Sequence, residues 1–194
     1  MISRRRMLVA TGALTGTALW PRLSGAASPK RAPDPAPNPE PAANPGPRRI
    51  ALVNLHTSER LEIEYFRNDA YVSEALTAIE VLLRDFRNGE KHTIDPKLMD
   101  YLVDVADQVG APSAYSVISG YRSPETNEKL HALSSGVSQR SLHMQGRAID
   151  VRMSGVSCAD LAARAEGLKR GGVGYYRASN FVHLDTGAFR TWRG

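Results

Sequence analysis

Cysteine is nearly absent from the chain: Cys158 is the only one in 194 residues. A single thiol forbids an intramolecular disulfide and rules out any multi-thiolate zinc site. Cys158 follows Ser157, a residue suited to capping a helix, where a thiol can be activated. No histidine follows it at a suggestive spacing, so a structural role is expected. No Ser-x-x-Lys stands at a catalytic-looking turn, which argues against a serine acyl-transferase. There is no internal repeat. A large excess of charge is also missing where it would matter. The formal net charge is +5, but Arg4, Arg5, Arg6 and Arg22 lie in residues 1–27, which hold no acid. Setting aside Lys30, Arg31, Arg48, Arg49, Asp34 and Glu40 as well leaves 17 basic against 18 acidic side chains in residues 50–194. A nucleic-acid partner therefore has no support in the part that can fold.

The apolar stretch from Met7 to Trp20 is shorter than the roughly 20 residues of a membrane span. With its basic start and the small residues around Ala26 and Ala27, it reads as an export signal over residues 1–27. Ser3-Arg4-Arg5-Arg6-Met7-Leu8 follows the twin-arginine pattern of signals that export folded proteins. The expected destination is the periplasm, with no membrane span in the mature form. From Ser28 to Pro47 proline recurs at almost every second position, so residues 28–49 read as an extended, semi-rigid tether. Residues 50–194 then form one domain.

In that domain "LEIEYF" alternates apolar and acidic residues after the turn-like "HTSER", which predicts a hairpin. "SEALTAIEVLLRDFRNG" predicts an amphipathic helix ending at Gly89. "DPKLMDYLVDVADQVG" predicts a second, capped by Asp95, with Pro96 in its first turn and Gly110 at its end. A strand at "AYSVISGY", a short helix at "RSPETNEKLHAL", a strand at "RAIDVRM", a helix capped by Ser157, and final strands at "GGVGYY" and "NFVHLDTG" complete the pattern. Helices come early and strands gather late. The expected class is α+β: a single domain with a central antiparallel sheet flanked by helices.

Five histidines are present. His56 and His92 lie in polar, turn-like stretches, and His131 sits alone on a short helix. In "SLHMQGRAIDVRM", Gly146 lets the chain turn so that His143 can face Asp150 on the strand that follows. Ala148 and Asp150 share one face of that strand, Ile149 and Val151 the other. A carboxylate on an otherwise apolar strand needs a cation. A divalent metal or a neighbouring Arg147 or Arg152 could supply it, and spacing alone leaves both open. In "FVHLDTG", Phe181, His183 and Asp185 share one face, so Asp185 can orient the His183 imidazole.

These segments carry a resemblance. "SLHMQGRAID" followed by "FVHLD" resembles the zinc site of the peptidoglycan peptidase family that includes D-alanyl-D-alanine dipeptidases and L-alanyl-D-glutamate endopeptidases, and "SGYRSPETN" resembles its arginine-bearing segment. With "GGVGYY" and "FVHLDTG" the chain most resembles the branch of murein endopeptidase K and its relatives. The resemblance covers most of residues 50–194. It implies a Zn2+ site made by His143, Asp150 and His183, with Arg122 stabilising an oxyanion or holding a substrate carboxylate. It also implies hydrolysis of peptide cross-bridges in peptidoglycan. Many members of the wider family carry an acid three residues before the last histidine, where this chain has Asn180. Asp185 is then the first candidate for the base, with His131 and Glu125 behind it. Tyr121, Tyr175 and Tyr176 are candidates for lining a substrate groove, with Gly171, Gly172 and Gly174 letting a peptide approach. The missing acid keeps a second reading in view, a non-catalytic peptidoglycan-binding module with a structural metal. Nothing in the sequence speaks to the oligomeric state.

Overall fold

The structure is a computed structural model that describes residues 46–110, 114–134 and 136–194. The expected export signal and most of the proline-rich tether lie outside the described residues. The first strand, β1, spans Arg48–Asn54, so Arg48 and Arg49 belong to the sheet rather than to the tether. β1 pairs antiparallel with β2, Arg60–Arg67, as the hairpin pattern predicts. A two-residue strand β3, Ala70–Tyr71, extends that edge.

Helix α1 covers Ser73–Leu82 and stops well short of Gly89. Its continuation folds into a loop because the Asp85 carboxylate accepts from Arg87 N at 3.1 Å and from the Ser123 amide and hydroxyl at 3.0 Å each. An acid turned inward breaks the apolar stripe that sequence periodicity had extended. Helix α2, Pro96–Val109, has the caps its sequence announces: Asp95 accepts from Lys97 N, and Gly110 closes the helix with φ 70°. β4, Tyr115–Ser119, leads to α3, Pro124–Leu133, capped by Ser123. A single 3-10 turn, Leu142–Gln145, precedes β5, Ala148–Met153. Helix α4, Cys158–Leu168, is capped by Ser157. β6 (Gly172–Tyr176), β7 (Phe181–Asp185) and β8 (Arg190–Arg193) close the fold.

The eight strands lie in the order β3-β2-β1-β4-β5-β7-β6-β8. The sheet is mixed, which corrects the expected antiparallel one: β1 pairs parallel with β4, and β6 parallel with β8. The first parallel pair arises because α1 and α2 intervene between β1 and β4, a connection long enough to return the chain in the same direction. Helix α4 packs on β5, β6 and β7. Ile149, Val151, Val173, Val182 and Leu184 are all 0% exposed in the core. Alternation along the strands then sends Asp150 and His183 to the other face. Cys158 is buried, and burial pushes its thiol pKa up, which agrees with a structural role. Among the described residues no helix is long and apolar enough to cross a membrane.

Candidate metal centre

The site is one row of the sheet. Backbone pairing sets Ser119 of β4 beside Asp150 of β5, Asp150 beside His183 of β7, His183 beside Gly174 of β6, and Gly174 beside Trp192 of β8. Directly paired residues point to the same face and approach closely. The row therefore runs across five strands and brings together the side chains of four of them, Ser119, Asp150, His183 and Trp192. His143 enters from the 3-10 turn, where Ser141 caps it by accepting from His143 N at 3.3 Å. The turn ends at Gly146, which holds φ 63° against the Thr93 carbonyl, where a side chain would collide. Here glycine is required on both counts.

Three ligand atoms converge. Asp150 Oδ1 lies 2.9 Å from His183 Nδ1 and 3.3 Å from His143 Nε2, and the two imidazole nitrogens are 3.2 Å apart. Each ring is fixed from behind. His143 Nδ1 donates to the Gly120 carbonyl at 2.6 Å, leaving Nε2 with its lone pair toward Asp150. His183 Nε2 donates to Asp185 Oδ2 at 3.0 Å, which turns Nδ1 inward. The other oxygen of Asp150 is held by Arg122 NH2 at 2.5 Å, and Arg122 Nε donates to Ser119 Oγ at 2.9 Å. Among the described residues, His143, Asp150 and His183 are the group placed to hold a metal ion. Two imidazoles and one carboxylate, each with an outer partner, suit a divalent ion such as zinc.

The electrostatics agree. Burial pushes the His143 pKa down, against the pull of Asp150, so the ring is a neutral donor. Burial alone would raise the Asp150 pKa, but His143 and His183 hold it well below the usual carboxylate range. Burial likewise works against charging His183, yet its bonds to Asp150 and Asp185 outweigh it and raise its pKa. A proton on His183 Nδ1 would face two acceptors, Asp150 Oδ1 and His143 Nε2, and a metal ion bound there would take its place.

Several expected residues fall elsewhere. Asp185 is 0% exposed and lies behind His183, away from the converging atoms. It also accepts from Gly172 N, from Gly187 N and from both terminal nitrogens of Arg190. Burial would raise its pKa, but the bonds from His183, Arg190 and Gly187 drive it far below the ordinary value, so it is a poor proton acceptor. Neither Arg147 nor Arg152 meets Asp150: Arg147 binds Thr186, and Arg152 reaches the Ser179 carbonyl. Glu125 pairs with Lys129 on the surface of α3, and His131 bonds to the Val137 carbonyl. Tyr121 is buried and stacks on His92 at 4.9 Å, and Tyr175 packs on the core. Of the three tyrosines only Tyr176 lines the cleft above the site. Asn180 occupies the turn between β6 and β7 with φ 50°, a backbone state that asparagine tolerates. Gly171, Gly172 and Gly174 make room for the protein's own Asp185, Arg190 and Trp192.

Sequence reading missed Trp192 and Ser119. Trp192 lies 5.2 Å from the His183 ring, donates from Nε1 to the Tyr176 hydroxyl at 3.0 Å, and covers Gly174. The only signal for it was a tryptophan beside arginines near the end of the sequence. The cleft has a volume of about 310 Å³, and Asp150 is the only carboxylate among its described lining residues.

A three-ligand cluster at the floor of an open cleft, each ligand braced by an outer partner, has the layout of a metal-dependent hydrolase site. The chain belongs to the peptidoglycan L,D-endopeptidase MepK family, whose profile matches residues 42–192. It is 36% identical to the peptidoglycan L,D-endopeptidase MepK of Escherichia coli K12 over 192 residues, covering 98% of this chain and 97% of that protein. It is 40% identical to the probable peptidoglycan L,D-endopeptidase MepK of Haemophilus influenzae over 149 residues, covering 76% of this chain and 80% of the other. No solved structure matches the chain.

Proposed function

We propose that this protein is a zinc-dependent endopeptidase that hydrolyses peptide cross-links of peptidoglycan in the periplasm, delivered there by the twin-arginine-type signal of residues 1–27. The observation that carries the reading is the convergence of His143 Nε2, His183 Nδ1 and Asp150 Oδ1 at the floor of the cleft. His143, Asp150 and His183 would hold the ion. Bound there, zinc would polarise the scissile carbonyl and make a coordinated water acidic near neutral pH.

The chain's own residues do the rest by positioning. Asp185 keeps the His183 proton on Nε2, and the Gly120 carbonyl does the same for His143 Nδ1. Arg122 holds Asp150 Oδ2, so that Oδ1 is turned toward the two imidazoles and would be the oxygen offered to the ion. Through its amide, which donates to the His143 carbonyl at 3.2 Å, Arg122 also ties the turn to α3. This shifts Arg122 from the oxyanion role the resemblance implies toward that of a positioning residue. Asp185 is likewise a positioning residue rather than the base. Structural zinc sites are closed by four protein ligands, whereas three ligands below an open cleft favour catalysis over the binding-module reading.

The test is digestion of defined, cross-linked muropeptide dimers by the purified protein, read by mass spectrometry. Cleavage that stops with a chelator and returns with zinc is the expected result. A protein that binds the dimers but releases no product with zinc present would establish the binding module instead.

A further inference from the structure

The cleft is charged unlike the domain that contains it. Residues 50–194 are close to neutral, with 17 basic and 18 acidic side chains. Among the described residues lining the cleft, Arg122, Arg140 and Arg190 stand against the single carboxylate of Asp150. A concave wall of one sign focuses its field and favours an occupant of the other sign. Two of these guanidiniums already have carboxylates: Arg122 holds Asp150 at 2.5 Å, and Arg190 holds Asp185 at 2.7 Å. Arg140 has none. Its backbone amide donates to the Ser138 hydroxyl at 3.1 Å, and among the described residues no acceptor meets its side chain.

Its position matters. Arg140 directly precedes Ser141, the cap of the turn that presents His143. Arg140 lines the same cleft as His143, Asp150 and His183, so a group held by Arg140 shares that cleft with the metal position. Part of the remaining lining is aromatic, with Tyr176 stacked on Phe181 at 4.5 Å and Trp192 beside His183. That surface offers apolar contact, and the cation lying over it, Arg190, is already paired with Asp185.

We propose that Arg140 is a specificity residue that binds a free carboxylate of the substrate peptide next to the scissile amide. It would make the enzyme select cross-bridges with an unmodified carboxylate over amidated ones. The inference rests on the peptidase reading above and names the substrate feature that the site recognises. The planar guanidinium matches both oxygens of a carboxylate. A primary amide of the same size offers one acceptor and turns N–H groups toward the cation. A hydrogen bond to a charged group is strong enough for a difference of about tenfold or more in affinity.

The test uses one cross-linked peptide dimer in two forms, with the carboxylate beside the scissile bond free or converted to its primary amide. Binding of each to the full-length, chelator-treated protein is measured by calorimetry, so that no hydrolysis intervenes. The wild type should bind the free form about tenfold more tightly, Arg140→Gln should bind the two alike, and Arg140→Lys should fall between. Arg140 is exposed, so these variants should fold, and their thermal unfolding is checked alongside. A wild type without preference, or an Arg140→Gln that keeps it, overturns the proposal. Hydrolysis is then followed after zinc is restored. Preference in binding with no cleavage of either form would overturn the peptidase reading and leave the carboxylate site standing.

Discussion

Asp100 and Asp150 are equally hidden carboxylates, 3% and 4% exposed, yet their surroundings are opposites. Asp100 accepts from the Tyr65 hydroxyl at 2.9 Å and the Tyr71 hydroxyl at 2.5 Å, and pairs with Arg48 NH1 at 3.2 Å. Arg48 also reaches Asp104, whose other oxygen pairs with Arg170. Two cations and two hydroxyls thus serve two carboxylates. Burial raises the pKa of both tyrosines, which keeps them as donors. Around Asp150 the donors run short on one side: Arg122 holds Oδ2, and Oδ1 is left to the two imidazoles. Its Oδ1 faces the His143 Nε2 lone pair at 3.3 Å with a single imidazole proton nearby. Acceptors left facing one another in a buried place are costly unless a cation lies between them. Burial alone does not separate a structural cluster from a metal centre; the balance of donors to acceptors does.

Substitution should split the two clusters cleanly. His143→Ala is expected to cut hydrolysis by more than the roughly 100-fold that loss of an outer partner costs, because it removes a ligand itself. Its unfolding temperature in chelator should fall less than that of Asp100→Ala. Asp100→Ala should do the reverse. Taking one partner from a buried ion pair costs about 3–5 kcal/mol, while zinc affinity, read by chelator competition, should hold within a few-fold. If Asp100→Ala lost zinc affinity as steeply as stability, the two clusters would be one coupled system and the contrast would fail.

Asp185→Asn tests the edge of the metal cluster. An amide can still accept from His183 Nε2 but meets Arg190 with N–H groups. A drop of about 10- to 100-fold in zinc affinity is expected, as for other outer partners of a ligand histidine. If Asp185 were the base instead, the variant would bind zinc normally and fail only in turnover.

The sequence disclosed these regions unevenly, for physical reasons. Caps are local, so Asp95 and Ser157 announced their helices. Alternation is local too, and it placed Asp150 and His183 on the face away from the core. Pairing between distant strands is not local. β8 is four residues long and exists through its parallel pairing with β6, so "RTWR" carried no signal of a strand or of Trp192 beside His183. Arg122 and Asp150 meet because β4 and β5 pair, which no spacing along the chain reveals. The same reason hid the parallel pairs and left Arg147 and Arg152, beside a metal, as the alternatives for Asp150. The inward turn of Asp85, which ended α1 early, was legible only once Ser123 stood opposite it.

Asp85 sharpens the comparison because it belongs to the satisfied kind but lies beside the metal centre. It is 0% exposed, and it accepts from Ser123, the residue after Arg122, through both amide and hydroxyl. Burial would raise its pKa, but bonds from Thr126, Ser123 and Arg87 outweigh that and lower it. A carboxylate whose folded pKa is depressed adds stability that is present above its unfolded value, about 3.9. That stability is lost as pH falls through the folded pKa. Asp85→Asn should therefore unfold a few degrees below the wild type at pH 6, on the order of 1–2 kcal/mol for bonds to a charged group. The two unfolding temperatures should converge as pH drops below about 4, because a protonated aspartic acid and the asparagine that replaces it are nearly alike. Thermal unfolding of both proteins in chelator from pH 6 to pH 2 measures the gap. A gap constant across that range would mean that the Asp85 charge contributes nothing. Satisfaction of a buried carboxylate by protein donors would then not be what stabilises this region.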